Sequence, residues 1–385
     1  MWHALVQAVG DYFRTLFQTL KRGWDTFWFT PTDPTTVAVI RILTGATLVY
    51  THLVALGVVL DLIGSHAWVD MRAIDSIRSG EFLDATGFRQ RAMDQNNRTL
   101  LRETRPPVHY SVYYYLPQQD WLILTVHSFF LLTMVTFTLG LFTRISNVLA
   151  WLGHLSYITR GYTIWFGMDT VLLMLSFYLM FTNSGATLSL DRLRQEWARR
   201  RNQNDLKPSW PDFFFASALP SWSANFVTRL IQVHMCIIYG CAGLAKLQGG
   251  SWWSGTAVWI TMMTDEFTLM DFQWLAHLGR YTWIWVSAIA TAFTLFFEIS
   301  FPFLIWTRFW RPILLAMAVL LHAGIGLVMG LGAFGAAMLT GCVSFISPEG
   351  MRWFLDLTLR RKEKPDGDRV GGHTRHEGER VPVPA

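Results

Sequence analysis

Lys246 is a residue whose setting could support base chemistry. It lies in the run YGCAGLAKLQGGSWW (239–253), and no carboxylate occurs within four residues of it on either side. A lysine withdrawn from water can lose its proton and then accept one from a substrate hydroxyl. The alternative is that its stem lies in lipid while its ammonium reaches the outer headgroups. The residues themselves leave both interpretations open.

The helix predicted to carry this lysine has a polar stripe. Its members recur at spacings of four, three, four and three: Gln232, Cys236, Tyr239, Gly243 and Lys246. Such spacings place side chains on a single helical face. Gly243 would let a neighbouring helix or a flat ligand approach the backbone. Trp252 and Trp253 follow the lysine and would let a loop fold over it. We therefore expect Gln232, Tyr239, Gly243 and both tryptophans to line a binding site.

A second set of ionisable residues is predicted at a similar depth on other helices. Asp169 follows the run RGYTIWFGM, and Arg160, His127 and His154 lie at a comparable level. Ionisable side chains inside a membrane are costly and usually face the bundle interior. We expect Asp169 to polarise a substrate or to pair with Lys246. The other three residues are expected to bind the substrate.

Other ionisable residues within apolar stretches have structural interpretations. Arg41 and Arg229 begin outward-going helices, which is typical of anchors at the inner headgroups. His52 and His322 are interpreted as residues that hydrogen-bond one helix to another. Glu298, in FFEISFP, lies deeper than an anchor would. It is expected to pair with a buried cation or to be protonated.

The composition predicts a membrane protein. Of the 385 residues, 52% are hydrophobic and 15% charged, against about 25% charged in a soluble domain. Apolar stretches long enough, or nearly so, to cross about 30 Å of hydrocarbon cover 37–62, 121–142, 145–159, 168–183, 226–247, 282–306, 313–329 and 331–347. The predicted fold is all-α, a polytopic transmembrane helix bundle of about eight spans, with the lipid bilayer as its partner.

Three regions are expected along the chain. Residues 1–24 have apolar side chains at helical spacing and predict an amphipathic interfacial helix. Residues 25–350 form the transmembrane domain, with an extracytoplasmic segment at 63–120. Residues 351–385 are predicted to be a basic and then disordered cytoplasmic tail, because the end is rich in Gly, Pro and charge.

The charges predict an orientation. With eight crossings and the N-terminus inside, every basic cluster falls on the cytoplasmic side, at 21–22, 144, 192–207, 308–311 and 360–364. Both termini are then cytoplasmic, and the loop 248–280 lies outside. The net charge of +5 is explained by this topology, so no nucleic-acid partner is predicted. No His, Cys and carboxylate set has metal-ligand spacing, so no metal site is predicted.

Several motifs resemble one membrane protein family. The run RLIQVHMCIIYGCAGLAKLQGGSWWSGTAVW (229–259) is similar to the signature helix of the horizontally transferred transmembrane family. This family is related to the membrane part of vitamin K-dependent γ-carboxylase. Further similarity lies in the early pattern FxxTDPTTVAVIRILTG (29–45) and in GMDTVLLMLSFYLMF followed by Ser189-Leu190-Asp191. FEISFPFLIW and LHAGIGLVMGLGAF also match, so the resemblance spans most of residues 27–350.

The resemblance implies an enzyme activity and a cofactor. In the carboxylase, the lysine matching Lys246 deprotonates the hydroquinone form of vitamin K. Reaction with oxygen makes a strong base, which removes a γ-proton from a peptide glutamate before carbon dioxide adds. The implied cofactor is thus a reduced quinone. The carboxylase has a histidine where this sequence has Gly167-Met168-Asp169. It also docks its protein substrate on a large extracytoplasmic region, whereas the resemblance here is to its membrane part. A separate docking protein is therefore expected here.

Three hypotheses follow from the sequence. The leading one is a membrane-embedded lyase or oxygenase, in which Lys246 is the base and a quinol or other lipidic substrate enters an outward-facing pocket. The second is a lipid or small-solute carrier in which Lys246 and Asp169 bind an ionic headgroup. The third is a non-catalytic membrane scaffold whose buried charges only hold helices together.

Overall fold

The computed structural model describes residues 2–68, 110–161, 166–202, 218–264, 269, 274–279 and 281–359. This part of the chain is helical and contains no β-strand. Its α-helices are α1 (Trp2–Phe29), α2 (Thr35–Leu56), α3 (Val59–Ile63), α4 (Asp120–Leu139), α5 (Thr143–Arg160), α6 (Gly167–Leu179), α7 (Leu190–Asn202), α8 (Trp222–Lys246), α9 (Gly250–Trp253), α10 (Ala257–Met262), α11 (Trp274–His277), α12 (Thr282–Leu304), α13 (Trp310–Val328), α14 (Gly332–Cys342) and α15 (Pro348–Leu359). Single 3₁₀ turns occur at Val112–Tyr115 and Val343–Phe345. Most of the predicted segment 63–120 lies outside the described residues.

Five of the described helices are long and apolar enough to cross a membrane: α2, α4, α8, α12 and α13. The all-α prediction is thus confirmed, and several apolar helices support a multi-pass integral membrane protein. The predicted spans 168–183 and 331–347 correspond to shorter apolar helices, α6 and Gly332–Phe345. The number eight and the cytoplasmic position of the termini stay predictions.

The predicted span 145–159 corresponds to α5, which is not among those five helices. Many of its polar residues are buried inside the bundle, among them Ser146, Asn147, His154 and Ser156. Because neighbouring helices rather than lipid cover these residues, α5 does not need the hydropathy of a lipid-exposed span. Its low hydropathy therefore reflects its place inside the bundle.

α2 is the central helix of the bundle. It contacts α4, α6 and α14, and more narrowly α8 and α15. Between apolar helices in lipid the hydrophobic effect supplies little attraction, so association depends on close packing at small residues. Gly45 of α2 faces Thr138 of α4, and Gly153 of α5 faces the ring of Phe130. A Cβ atom at either glycine would collide with those neighbours.

The N-terminal helix is longer than predicted. α1 runs on to Phe29, past the expected boundary at residue 24. Its side chains are exposed up to that boundary where the structure describes them, and its place in the membrane interface stays a prediction. The extra turn packs on α8. Trp28 lies 5.6 Å from the Phe226 ring, and Asn225 Nδ2 donates to Phe27 O at 2.8 Å.

α15 runs across the expected boundary at residues 350/351, and the division of the chain at that point stays a prediction. Met351 is buried, and Arg352 pairs with Asp33 in front of α2. Asp33 Oδ1 also accepts the Thr35 backbone N–H at 2.8 Å. The Arg352–Asp33 ion pair ties the start of α15 to the bundle. Residues 360–385 lie outside the described part of the chain.

The segment between α8 and α12, predicted as an external loop, packs in part against α12. Gly255, at φ +73°, has a carbonyl that accepts Ser287 Oγ at 2.7 Å and Thr291 Oγ1 at 3.3 Å. The same two hydroxyls accept the amides of Trp259 and Val258 at 3.3 and 3.4 Å. Gly255 and α10 therefore lie beside the first half of α12.

Arg41 is fully buried, so its interpretation as a headgroup anchor is wrong. Its guanidinium donates to Ser184 O at 2.7 Å and to Leu188 O at 2.5 Å. These carbonyls belong to the turn between α6 and α7. Gly140, at φ +69°, lies against the same guanidinium, and an added Cβ would approach Arg41 Nη1 to 2.8 Å. Arg41 thus fixes this end of the bundle from within.

Asp191 supplies the N-terminal cap of α5 from another segment. The residue before α5, Phe142, has no side-chain acceptor. Asp191 accepts the Phe142 amide, the Thr143 amide and the Thr143 hydroxyl at 2.8–2.9 Å. Partial burial opposes ionisation of Asp191. The hydrogen bonds from Thr143 and Phe142, with the charge of Arg194, outweigh it and hold the pKa below its ordinary value.

Asp191→Asn should lower the free energy of unfolding by about 1 kcal/mol at neutral pH, as loss of a charged helix cap does. A lowered folded-state pKa means that the carboxylate stabilises the fold above its unfolded pKa, and that this contribution is lost as pH falls. The difference in apparent melting temperature between the wild type and Asp191→Asn, measured in detergent from pH 7.5 to pH 3.5, should become smaller toward acid pH. Asp25→Asn, on the exposed part of α1, is the control. A difference that stays constant with pH would contradict the assignment.

Candidate functional site

Lys246 pairs with Glu298. Lys246 is the last residue of α8, and its Nζ donates to Glu298 Oε1 of α12 at 2.8 Å. The other carboxylate oxygen, Oε2, lies equally close at 2.8 Å. The Glu298 side chain is 9% exposed and the Lys246 side chain 26% exposed. The expectation that Asp169 would pair with Lys246 is therefore wrong, and the cation expected near Glu298 is this lysine.

Glycines on α8 bring the two charged groups together. A Cβ atom at Gly243 would lie 2.9 Å from Ile299 Cγ1 and 3.2 Å from Glu298 Cβ. One turn earlier, a Cβ at Gly240 would lie 3.2 Å from Pro302 Cγ. The close approach predicted for Gly243 is thus made by a helix, α12. Any larger side chain at that position would separate the helices that carry the pair.

The ion pair lies well along α12. Glu298 is about 24 Å from the start of that helix, at about 1.5 Å per residue. α8 ends there, and α9 begins four residues after Lys246. The Trp252 ring of α9 lies 5.4 Å from the ammonium nitrogen, a cation–π distance. Trp253 is 72% exposed, and its Nε1 donates to Leu247 O at 2.7 Å. Only Trp252 of the expected tryptophan pair therefore covers the lysine.

One oxygen of the buried carboxylate contacts only the lysine. Glu298 Oε1 accepts a hydrogen bond from Lys246, and Oε2 lies 2.8 Å from the same nitrogen but has no other donor within the described part of the chain. A carboxylate oxygen has two lone pairs, so a buried one with a single neighbouring donor keeps acceptor capacity. The site is therefore suited to a ligand that donates a hydrogen bond, such as a hydroxyl group.

Two other residues of the predicted stripe have partners inside the protein. Tyr239 is 2% exposed, and its OH lies 2.8 Å from His322 Nε2 and 3.4 Å from Cys342 Sγ. Gln232 donates to Ser344 O at 2.6 Å and accepts from Arg229 Nη1 at 2.9 Å. The burial of this face of α8 agrees with the helical spacing. Tyr239 joins α8 to α13 and α14, and Gln232 joins it to the turn after α14.

Asp169, His154 and His127 belong to a separate cluster at the ends of α2 and α5 and the starts of α4 and α6. Asp169 Oδ1 lies 3.7 Å from His154 Nε2. His154 Nδ1 lies 3.1 Å from His52 Nε2, and the His127 ring is 5.2 Å from that of His52. Arg160, at the end of α5, is buried. The predicted site residues thus fall into two groups on different helices.

Sequence reasoning missed two participants. Glu298 was expected to meet a cation, but nothing in the sequence connects positions 246 and 298. His52 was interpreted as a single helix-to-helix residue, whereas it lies against two other histidines. From the sequence, His127 and His154 are expected at one depth and His52 apart from them, so no signal in the sequence joined the three histidines. Within the described residues no group of three or more possible ligands could hold a metal, and the absence of a metal site stays a prediction.

Comparison with known proteins gives no relative: no protein-family model matches the chain, and neither the curated proteins nor the solved structures contain a match. The resemblance to the carboxylase-like family therefore rests on the motifs in the sequence. The geometry of the two clusters has to carry any functional argument.

Gly243→Ala should destabilise the protein, because its Cβ would overlap Ile299 and force α8 from α12. Overpacking of this kind costs about 1–3 kcal/mol. The matched control is Gly324→Ala in α13, where an added Cβ meets nothing within 4 Å. The apparent melting temperature in detergent should fall for Gly243→Ala and stay level or rise for Gly324→Ala. Equal melting temperatures would contradict the close contact at Gly243.

Proposed function

We propose that this chain is a membrane-embedded enzyme that binds a hydroxyl-bearing lipidic molecule, with a reduced quinone as the leading candidate, at the Lys246–Glu298 pair. The observation that carries the proposal is the buried carboxylate oxygen Glu298 Oε2, whose only donor among the described residues is the Lys246 amine under an indole ring. The resemblance of residues 229–259 to the carboxylase-like signature supports the same lysine.

The residues at the pair fit a hydroxyl donor. Glu298 Oε2 would accept the hydroxyl hydrogen bond and thereby position the oxygen near Lys246 Nζ, since the two protein atoms are 2.8 Å apart. A reduced quinone would supply an acidic ring hydroxyl and two reducing electrons when bound. An apolar ring would find apolar neighbours at Trp252 and Ile299, which already contact Lys246 and Gly243.

A proton can move within the pair, from Lys246 to Glu298, without changing the total charge of the pair. The free-energy difference between the state with a neutral amine and a neutral acid and the ion pair is smaller in an apolar setting than in water. From the neutral state, the Lys246 amine accepts the hydroxyl proton. The O–H bond breaks, a new N–H bond forms, and the electron pair remains on oxygen. The Trp252 face stabilises the resulting ammonium.

A second candidate function is a scaffold in which the pair only holds helices together. It is favoured by the close contact of Lys246 Nζ with both carboxylate oxygens. Removing one partner of a buried pair costs about 3–5 kcal/mol. The carrier hypothesis requires Lys246 and Asp169 to bind one headgroup. Each contacts a different residue, Glu298 and His154 respectively, and these contacts give that hypothesis no support.

Lys246→Arg separates the enzyme from the scaffold. Arginine can still pair with Glu298, but a guanidinium cannot act as a base at ordinary pH. Oxygen-dependent consumption of a short-chain naphthohydroquinone by protein in nanodiscs should therefore fall at least a hundredfold, while the melting temperature stays within a few degrees. Lys21→Arg, on the exposed part of α1, is the control. Turnover by Lys246→Arg at the wild-type rate would refute the role of Lys246 as the base.

Two further measurements bear on the alternatives. Lipid extraction of the purified protein should yield an isoprenoid quinone, and phospholipid alone would count against the proposal. The exchange of charges in the double variant Lys246→Glu, Glu298→Lys should restore stability lost in each single variant without restoring turnover. A wild-type protein without turnover, combined with full rescue of folding, would establish the scaffold.

A further inference from the structure

A chain of three buried side chains runs from α6 through α5 to α2. Asp169 Oδ1 lies 3.7 Å from His154 Nε2, and His154 Nδ1 lies 3.1 Å from His52 Nε2. His52 and His154 are 1% exposed and Asp169 is 6% exposed. The remaining ring nitrogen, His52 Nδ1, has no hydrogen-bond partner among the described residues.

The charge next to His154 favours one arrangement of the ring protons. Asp169 is held by the Phe166 backbone N–H, which donates to Oδ2 at 2.9 Å. At 3.7 Å the Asp169 carboxylate is beyond hydrogen-bond distance, and His154 Nε2 makes no hydrogen bond among the described residues. The negative charge of the carboxylate still favours an N–H on the nitrogen that faces it, so we assign the His154 proton to Nε2. His154 Nδ1 must then accept, and His52 Nε2 must donate to it. His52 Nδ1 is left as an acceptor. The opposite arrangement would set the His154 lone pair against the carboxylate.

The neighbours of this chain are neutral partners. His127 Nε2 donates to His52 O at 3.4 Å, so its Nδ1 accepts from Tyr113 OH at 3.2 Å. The Tyr157 ring lies 4.9 Å from the His52 ring. Among the groups that these contacts bring together in the described structure, Asp169 is the carboxylic acid. A proton on His52 would therefore place a positive charge in the cluster, which offsets the negative charge of Asp169.

We propose that His52 Nδ1 is a second proton-accepting site, which takes a proton from the hydroxyl group of a bound molecule and is oriented by Asp169 through His154. The O–H bond of the donor breaks, an N–H bond forms at His52 Nδ1, and the electron pair stays on the donor oxygen. The imidazolium that results is stabilised by Asp169 across His154. His154 and Asp169 are positioning residues in this scheme. The site uses α2, α5 and α6, so it does not rest on the Lys246–Glu298 pair.

The test is the position of the ring protons, measured by ¹⁵N NMR on the full chain labelled at histidine and held in nanodiscs at pH 7.5. His52 and His154 should both carry the proton on Nε2, assigned by comparison with His52→Gln and His154→Gln. Asp169→Asn retains an acceptor for Phe166 N–H and should remove the preference for Nε2–H at His154. Asp169→Glu should keep it, and His277→Gln, on the exposed residue of α11, should change neither signal.

A small phenol, 4-propylphenol, serves as the hydroxyl probe. It should shift the His52 Nδ1 signal in the wild type and in Lys246→Arg, and at least tenfold less at equal concentration in Asp169→Asn. If bulk water already donates to His52 Nδ1, transfer of the protein into D₂O should shift the His52 Nδ1 signal before any phenol is added. A proton found on His52 Nδ1, or a phenol shift that is the same in Asp169→Asn, would overturn the proposal. Because Lys246→Arg retains the shift, failure here is distinguishable from failure of the proposed function.

Discussion

Inside a bilayer, every polar group must find its partner within the protein, because no water is present to replace one. Arg41 meets most of this requirement: its two Nη atoms donate to the carbonyls of Ser184 and Leu188, whereas its Nε has no partner among the described residues. Gly255, which interrupts helical structure between α9 and α10, is served by the hydroxyls of Ser287 and Thr291. These interactions link segments far apart in the chain. They set the arrangement of helices on which both polar clusters depend.

Against this background, the open acceptors are informative. Within the described residues, Glu298 Oε2 is buried with Lys246 as its only donor, and His52 Nδ1 is buried with no hydrogen bond. Each belongs to a group that can also carry a proton: a carboxylate paired with Lys246 in one case, and an imidazole backed by His154 in the other. Gln232 uses both ends of its amide, on Arg229 and Ser344. Open atoms also occur at structural residues such as Arg41 and His322, whose Nε and Nδ1 lack partners among the described residues. The proton-holding neighbour is therefore what distinguishes Glu298 and His52. An acceptor left open beside a proton-holding partner is typical of a site that binds a donor.

The sequence predicted local features better than partners. The polar stripe on α8 follows from helical spacing alone, and the burial of Gln232, Tyr239 and Gly243 confirms it. Lys246 stood out because no carboxylate lies near it in the chain. Its partner Glu298 could not be predicted. The register between α8 and α12 depends on how Gly243 packs against Ile299, and the sequence of one helix alone does not show this packing. The all-α class follows from composition, whereas the span count requires knowing which helices face lipid.

The offset between α8 and α12 explains why the pair is enclosed. α8 ends opposite Glu298, about three-quarters of the way along α12, so the first half of α12 needs another neighbour. Gly255 and α10 take that place: the Trp259 amide donates to Ser287 Oγ, and the Gly255 carbonyl accepts from Thr291 Oγ1. This fold-back brings Trp252 over the ammonium. The charge at the end of α8 is therefore covered by the segment that follows it, so access to the pair depends on how firmly α10 is held against α12.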